Sequence, residues 1–259
     1  GTGRGDFPRM ENTAGLRARW MPGRSVFEAG YSHYIFSADA KEYDYLNRAT
    51  EQFFARAGYG FAEATEAGLE ISGGLTSYDS SMRVDNQNLS VGPYAQWQLT
   101  EATFLALHGG YVFYHFDADA YTPDARDLSS WYLSAEIRNH LTDEISHGVA
   151  VSREVHQGIN EVSPGRNTDS MELLSARYSI SWAFHEQGSL GSDLMYEHGK
   201  EPSGPEGAFD RSGFGVNASW RFTRHLSAGL GYRFTNRSSD TSGRDYQVNS
   251  ATFNANYYF

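Results

Sequence analysis

The 259-residue sequence contains no cysteine, only seven prolines and no long apolar run. The lack of cysteine excludes disulfide scaffolds, thiolate metal sites and cysteine nucleophiles. No segment approaches the roughly 18 consecutive apolar residues that a membrane-spanning helix needs, so insertion by helices is excluded. The first ten residues include no apolar stretch of the export-signal kind, and we expect any such signal to have been removed already.

Basic residues are also scarce, with 21 Lys and Arg against 32 Asp and Glu and a net charge of −11. Nucleic acid is therefore excluded as a partner, because phosphate binding needs a basic surface. The mean hydropathy is low, at −0.57, but 15% of the residues are aromatic. Disordered acidic chains are poor in aromatic residues, so the sequence predicts a folded protein.

Strict alternation of apolar and polar residues dominates the chain. Between Ser212 and Phe222, one parity holds phenylalanine, valine, alanine and tryptophan, whereas the other holds glycine, asparagine, serine and arginine. A period of two indicates a β-strand with one apolar face. The pattern recurs about thirteen times in segments of about ten residues, which predicts an all-β antiparallel fold of about 12–14 strands.

The connections between these segments alternate in length. Short connections lie at 21–24, 62–65, 100–102, 142–144, 185–188 and 223–225, and long polar ones lie near 37–48, 79–87, 117–128, 157–168, 199–210 and 236–246. Short turns at one rim and long loops at the other are typical of outer-membrane β-barrels. The sequence therefore predicts an up-and-down transmembrane barrel over residues 11–259, with short periplasmic turns, long acidic extracellular loops and a flexible extension at 1–10.

Tryptophan positions favour a barrel over a soluble β-sandwich, which would also show alternation. Four tryptophans share the apolar parity close to short turns, and we expect them to form a girdle at one membrane interface: Trp20, Trp97, Trp182 and Trp220. The core of a sandwich gives no reason to place them at one height. Four tyrosines toward the long loops would form the opposite belt: Tyr31, Tyr111, Tyr196 and Tyr232.

Charged residues on the polar parity would then line the lumen. The predicted lining set is Arg17, Arg19, Glu28, Arg56, Glu70, Glu136, Arg138, Glu154, Arg177, Asp193, Glu197, Arg221 and Arg233. Charges of both signs around one lumen could orient polar solutes and set ion selectivity. The alternative is that they form ion pairs that hold a narrow barrel closed, and the sequence leaves both interpretations open.

The long loop after residue 116 contains Asp117, Asp119, Asp124 and Asp127. Several carboxylates can bind a hard cation, which makes these residues weak metal candidates, but their spacing matches no calcium-binding loop. A solvated acidic loop is the favoured interpretation, so no metal and no cofactor is predicted. An acidic mouth would favour the entry of cations.

Catalysis is not expected. His147 and Ser152 have opposite parity, which keeps them on different faces of a strand. The sequence contains neither an HExxH nor a GxSxG phrase, so an outer-membrane hydrolase is the less favoured alternative.

Several phrases carry a resemblance to a known family. The chain ends in an alternating strand closed by Phe259, 254–259 (NANYYF), and contains 42–48 (EYDYLNR), 91–94 (VGPY), 98–100 (QLT), 128–132 (LSSWY), 152–155 (SREV) and 231–235 (GYRFT). The terminal strand resembles the C-terminal signal of bacterial outer-membrane proteins, and the other phrases resemble the beta-barrel porin family 2. The resemblance implies a location in the outer membrane, contact with its lipids and lipopolysaccharide, and assembly by the barrel-assembly machinery through the signal at Phe259.

An odd number of strands raises a question of closure. The strand that ends at Trp20 and the last strand would run in the same direction, so thirteen strands cannot close with antiparallel pairs alone. Either residues 1–10 hold an imperfect strand, or residues 1–20 are not all barrel wall, or upstream strands of a longer precursor complete the barrel.

The sequence thus predicts a passive, porin-like channel for ions or small polar solutes. The alternatives are the export pore of an exopolysaccharide secretion system, to which relatives of the family have been linked, and a closed barrel that anchors partners. Other envelope proteins or a second copy are further expected partners, with the apolar and glycine-rich stretch 71–75 as a candidate contact.

Overall fold

The computed structural model of the protein describes residues 8–80, 83–117, 127–157, 170–200, 208–240 and 244–257. These residues form thirteen β-strands and one short 3-10 helix, Lys41–Leu46, in the first long loop. The strands are β1 Arg9–Trp20, β2 Ser25–Ala38, β3 Arg48–Ala62, β4 Thr65–Tyr78, β5 Asn86–Thr100, β6 Thr103–Phe116, β7 Leu128–His140, β8 Ile145–Gln157, β9 Ser170–His185, β10 Gly188–Lys200, β11 Phe209–Arg221, β12 Leu226–Ser239 and β13 Tyr246–Tyr257.

All thirteen strands belong to one sheet in which the spatial order follows the chain order. Every neighbouring pair is antiparallel. Short connections at one rim alternate with long ones at the other, so the predicted up-and-down architecture is confirmed. In the first turn Gly23 adopts a φ of 65°, a left-handed conformation that glycine takes without a steric penalty.

The predicted flexible extension at residues 1–10 lies mostly outside the described residues. Residues 1–7 lie outside them, and β1 already begins at Arg9. No helix in the described ranges is long and apolar enough to cross a membrane.

The sheet has two open edges. Within the described residues, β1 pairs with β2 alone and β13 with β12 alone. Because both edge strands have odd numbers in an up-and-down order, they run in the same direction, as the sequence predicted. Any direct pairing of β1 with β13 would therefore be parallel.

The sheet curves toward its polar face. Arg19 on β1 and Glu66 on β4 would be roughly 14 Å apart in a flat sheet, since neighbouring strands are about 4.8 Å apart. Their side chains nevertheless meet, with Arg19 Nη2 3.0 Å from Glu66 Oε2. The polar face is thus the concave, inner wall.

The apolar face is the convex, outer wall. Large apolar side chains on it are exposed along nearly every strand, such as Leu16 at 69% and Phe253 at 70%. In the part of the chain that the structure describes, the buried apolar cluster consists of Phe36, Ala38 and Leu46 at the rim beside the 3-10 helix. A soluble sandwich would bury its apolar face, whereas an exposed apolar band suits lipid.

Candidate functional site on the inner wall

The predicted lining residues share one face of the sheet. The ladder registers link this face from strand to strand, for example Glu28 to Arg56, Arg56 to Glu70, and Asp193 to Gly215. Following the registers from β1 to β13 places every residue of the predicted lining set on the inner wall.

Glu28 is the centre of a cluster on β1–β3. Arg56, opposite it on β3, donates from Nε at 2.9 Å and from Nη2 at 2.5 Å to Glu28 Oε2. Arg17 on β1 donates to Glu28 Oε1. The side chain of Glu28 has no exposed surface, whereas that of Arg17 is 64% exposed on the inner face. The carboxylate is therefore fully paired beneath two arginines.

A second group continues the cluster toward β6. His108 Nδ1 lies 3.1 Å from both carboxylate oxygens of Glu70, and its ring stacks on Tyr94 with the centroids 6.1 Å apart. The Arg56 guanidinium lies 5.2 Å from the centroid of the same tyrosine ring. Tyr94 and Glu66 are both buried. Neither His108 nor Glu66 belongs to the lining set predicted from the sequence.

Further ion pairs occupy the rest of the inner wall. Arg138 Nε lies 2.6 Å from Glu136 Oε1 on the same strand, and Arg233 Nη2 lies 3.2 Å from Asp193 Oδ1. Arg221 instead donates to the carbonyl of Glu186 at 3.0 Å. The three remaining residues of the lining set are Glu154, opposite Leu173; Arg177, opposite Ala150; and Glu197, which accepts from Arg211.

The exposure of these pairs differs along the wall. Arg138 is 62% exposed and its partner Glu136 39%, while Arg56 is only 12% exposed. Exposed pairs contribute little to stability and remain available to solutes, whereas the buried cluster on β1–β3 fixes the strands. The inner wall thus combines a structural region with a charged surface that water can reach.

Aromatic rings from nearby strands of the inner wall lie over glycines, an arrangement that the sequence alone does not predict. A Cβ placed on Gly58 would come within 2.3 Å of Tyr94 Oη, and one on Gly30 within 2.2 Å of the Phe54 ring. Phe209 covers Gly199 in the same way. Each ring fills the space of an absent side chain, so these glycines allow close packing without an apolar core.

The predicted girdle residues lie on the outer wall near the short turns. Trp20 is opposite Phe27 and stacks on it at 5.6 Å, and Trp182 and Trp220 both contact the Phe184 ring. Trp97 is 54% exposed. The fifth tryptophan, Trp131, lies on the same face toward the long loops.

At the long-loop end of the outer wall, tyrosine and histidine side chains contact carboxylates. Glu51 accepts from Tyr31 and contacts His33 at 2.7 Å, and Asp210 accepts from Tyr196 at 2.6 Å and contacts His198 at 3.0 Å. Tyr232 donates to Asn249. Phenol groups here suit a membrane interface.

The candidate metal and assembly residues are only partly described. Asp127 Oδ1 lies 2.8 Å and Asp117 Oδ1 3.7 Å from His115 nitrogens. Asp119, Asp124 and Phe259 lie outside the described residues. Among the residues described, no group of three or more His, Asp or Glu could hold a metal ion.

His147 and Ser152 are on opposite faces, as their parity predicted. The His147 ring contacts Tyr178 on the outer wall, while Ser152 Oγ is 2.8 Å from Ser175 Oγ on the inner wall. This pair therefore cannot act as a base and a nucleophile together.

No family model matches the chain, and no curated protein matches it. Solved structures do resemble it. The ferric yersiniabactin uptake receptor FyuA from Yersinia pestis superposes with a TM-score of 0.62 at 13% identity, over 96% of this chain and 47% of the receptor. The FrpB iron transporter from Neisseria meningitidis (F5-1 variant, apoprotein form) gives 0.63 at 12% identity, over 88% and 44%.

The alcaligin outer membrane receptor FauA from Bordetella pertussis gives a TM-score of 0.57 at 10% identity, over 95% of this chain and 50% of the receptor. The chain thus spans about half the length of the structures it matches. At this identity the likeness establishes the fold, which is the wall of an outer-membrane β-barrel. This fold and the lipid-compatible outer face together place the chain in a bacterial outer membrane.

Proposed function

We propose that the chain forms the wall of a porin-like passage for passive diffusion of ions or small polar solutes. The observation that carries this proposal is the composition of the inner wall. Charged side chains, and hydroxyl groups such as those of Ser152 and Ser175, lie on it along most of the strands, beside buried apolar residues such as Val26 and Val112. An inner wall of this kind favours water in the lumen.

A passage also requires closure of the wall. Unpaired backbone groups at β1 and β13 cannot remain open to lipid, so both edges must pair in the membrane. Membership in beta-barrel porin family 2, which the sequence suggests, is part of the same proposal. So are contact with lipopolysaccharide and assembly through Phe259.

Conductance across a planar bilayer tests the proposal. Glu136 and Arg138 lie on one strand and one face and are both exposed, so they form a matched pair of opposite charge. Glu136→Gln should shift ion selectivity toward anions and Arg138→Gln toward cations, because each removes one sign of charge from the lumen. No single-channel current from the unaltered protein, or the same selectivity in both variants, would contradict it.

A different outcome would point to ligand-specific uptake. The similar structures are named as a ferric yersiniabactin uptake receptor, an iron transporter and an alcaligin outer membrane receptor. If no current is measured at any voltage but the uptake of one solute is saturable, the result would support ligand-specific uptake and reject passive diffusion.

A further inference from the structure

Strands β7 and β8 are paired along only part of their length. Their ladder runs from His140–Ser146 to Leu133–Arg153, and within residues 127–157 no further pair follows. β7 remains paired with β6 up to Leu128, and β8 remains paired with β9 up to Gln157. The wall therefore divides between residues 128–132 and 154–157 at the long-loop end. We call this opening the β7–β8 seam.

Side chains take the place of the missing ladder. Arg153 donates from Nη1 to the carbonyl of Trp131, and Tyr114 donates from its hydroxyl to the carbonyl of Val155 at 3.2 Å. Trp131 and Val155 would be opposite each other if the ladder continued. Unpaired carbonyls are costly near lipid, so these two donors make an open seam tolerable.

The contacts of Ser130 pass through the wall. Its register partner Val112 places Ser130 on the inner face. Arg153, opposite Leu133 and Leu174, and Glu172, opposite Val155, lie on the outer face. Ser130 Oγ nevertheless donates to Glu172 Oε1 at 3.1 Å and accepts from Arg153 Nη1 at 3.2 Å. In an intact ladder the backbone separates the two faces, so only side chains close the wall here.

An outer groove of about 450 Å³ begins beside the seam. Its floor is apolar, formed by Phe53, Leu75, Leu89 and Phe113, and His115 and Asp127 lie at its polar end. The groove reaches Leu128 and Ser129, the first two residues of β7, which belong to one side of the seam. An apolar floor with a polar end fits a chain-like molecule that has a polar head.

The charge at the seam indicates which head group fits. Arg153 Nη2 lies 2.7 Å from Glu172 Oε1, and the two side chains are 17% and 30% exposed. The guanidinium also lies 4.0 Å from the centroid of the Trp131 ring. A carboxylate or phosphate on a ligand can take the position of the Glu172 carboxylate on Arg153, because guanidinium binds either anion in a forked geometry.

We propose that the β7–β8 seam is a lateral port that admits anionic amphiphiles, with a long apolar chain and a carboxylate or phosphate head, between the lumen and the outer leaflet. Arg153, paired with Glu172 on the neighbouring strand β9, is the head-group residue of this port. This function is additional to passive diffusion, and it can be tested separately.

Engineered disulfides test the port, and the absence of native cysteine makes the result unambiguous. Tyr132→Cys with Glu154→Cys would extend the ladder by one pair and close the seam. Ser134→Cys with Ser152→Cys is the matched control, since these residues already pair on the same face. Proteoliposomes holding each full-length variant are assayed for transfer of fluorescent palmitate and for ion conductance.

Oxidation of the seam variant should slow palmitate transfer by about tenfold or more, as expected when a gate is fixed in one state. Reductant should restore it, while oxidation should not change palmitate transfer by the control variant. Because Glu154 belongs to the predicted lining set, conductance is compared only between the oxidised and reduced forms of the same variant. Equal transfer in the oxidised and reduced seam variant, or no palmitate transfer by the unaltered protein, would overturn the port whether or not ions pass.

Substitution of the head-group residue is a second test that does not depend on disulfide formation. Arg153→Gln should reduce palmitate transfer several-fold, whereas Arg153→Lys, which keeps the positive charge, should restore part of it. The same transfer rate in both variants as in the unaltered protein would also reject the port.

Discussion

Arg56 and Glu28 face each other across the β2–β3 ladder, and Arg56 donates two hydrogen bonds to a single carboxylate oxygen of Glu28. Arg17 donates to the other oxygen. Two residues that the sequence predicted as pore-lining are therefore held in a cluster that links β1, β2 and β3. At this part of the wall, charge stabilises the strands, whereas exposed pairs elsewhere are better placed to influence solutes.

Replacement of Glu28 by glutamine should destabilise the wall. Glu28→Gln removes the carboxylate and leaves Arg17 and Arg56 close together without their shared counter-charge. We expect the free energy of unfolding to fall by roughly 2–3 kcal/mol, the range for loss of a buried charged partner. Urea unfolding in lipid bilayers, followed by tryptophan fluorescence, measures the change.

Glu11→Gln is the control for that measurement. Glu11 is paired with Arg9 on the exposed edge strand, and a solvent-exposed pair should give no measurable change. Equal destabilisation by both substitutions would show that burial of the Glu28 cluster has no energetic consequence.

Gly58 should not tolerate alanine, because the Tyr94 hydroxyl occupies the position of its side chain at 2.3 Å from the added Cβ. Gly58→Ala should lower the free energy of unfolding by roughly 1–3 kcal/mol, the cost of overpacking. Tyr94→Phe in the same chain should recover part of the loss. Urea unfolding again gives the values.

Gly60 is two residues away on the same face of β3, and the nearest atom to its added Cβ is 3.5 Å away. Gly60→Ala should therefore be neutral or slightly stabilising. If both glycine substitutions cost the same, backbone freedom and not the tyrosine contact would explain the first result.

Much of the architecture could be predicted from the sequence because its signals are local. Alternation with a period of two assigns each side chain to a face, and the turn residues mark where strands end. Face assignment was sufficient to place Arg17, Glu136 and Arg233 on one wall. Parity does not specify the register between strands, so the Arg56–Glu28 contact and the covering of Gly58 by Tyr94 could not be predicted.

The β7–β8 seam was missed for a related reason. The phrase at 152–155 contains Arg153 on the apolar parity, where a strand rule predicts a lipid-facing side chain, and only Glu154 of this phrase belongs to the predicted lining set. The end of the ladder at Leu133 explains a half-buried, paired guanidinium on that face. Long-range pairing of this kind leaves no local signal.

Depth measurements should place the four girdle tryptophans at a membrane interface. In variants that keep only Trp20, Trp97, Trp182 or Trp220, nitroxide labels near the lipid head groups should quench fluorescence more strongly than labels deep in the acyl chains. A variant that keeps only Trp131 serves as the comparison, since it lies toward the other rim. Stronger quenching by the deep label at any of the four would reject the girdle.

Adjacent residues on β8 separate the two faces of the wall. Val151 points outward between Ala135 and Ala176, and Ser152 points inward between Ser134 and Ser175. Val151→Arg places a charge in the apolar band and should lower the free energy of unfolding by roughly 2–4 kcal/mol. Ser152→Arg places the same charge toward water, so the unfolding energy should change little while ion selectivity shifts toward anions. Since the two substitutions differ by one position, equal destabilisation in lipid vesicles would mean that the inner wall is not wet.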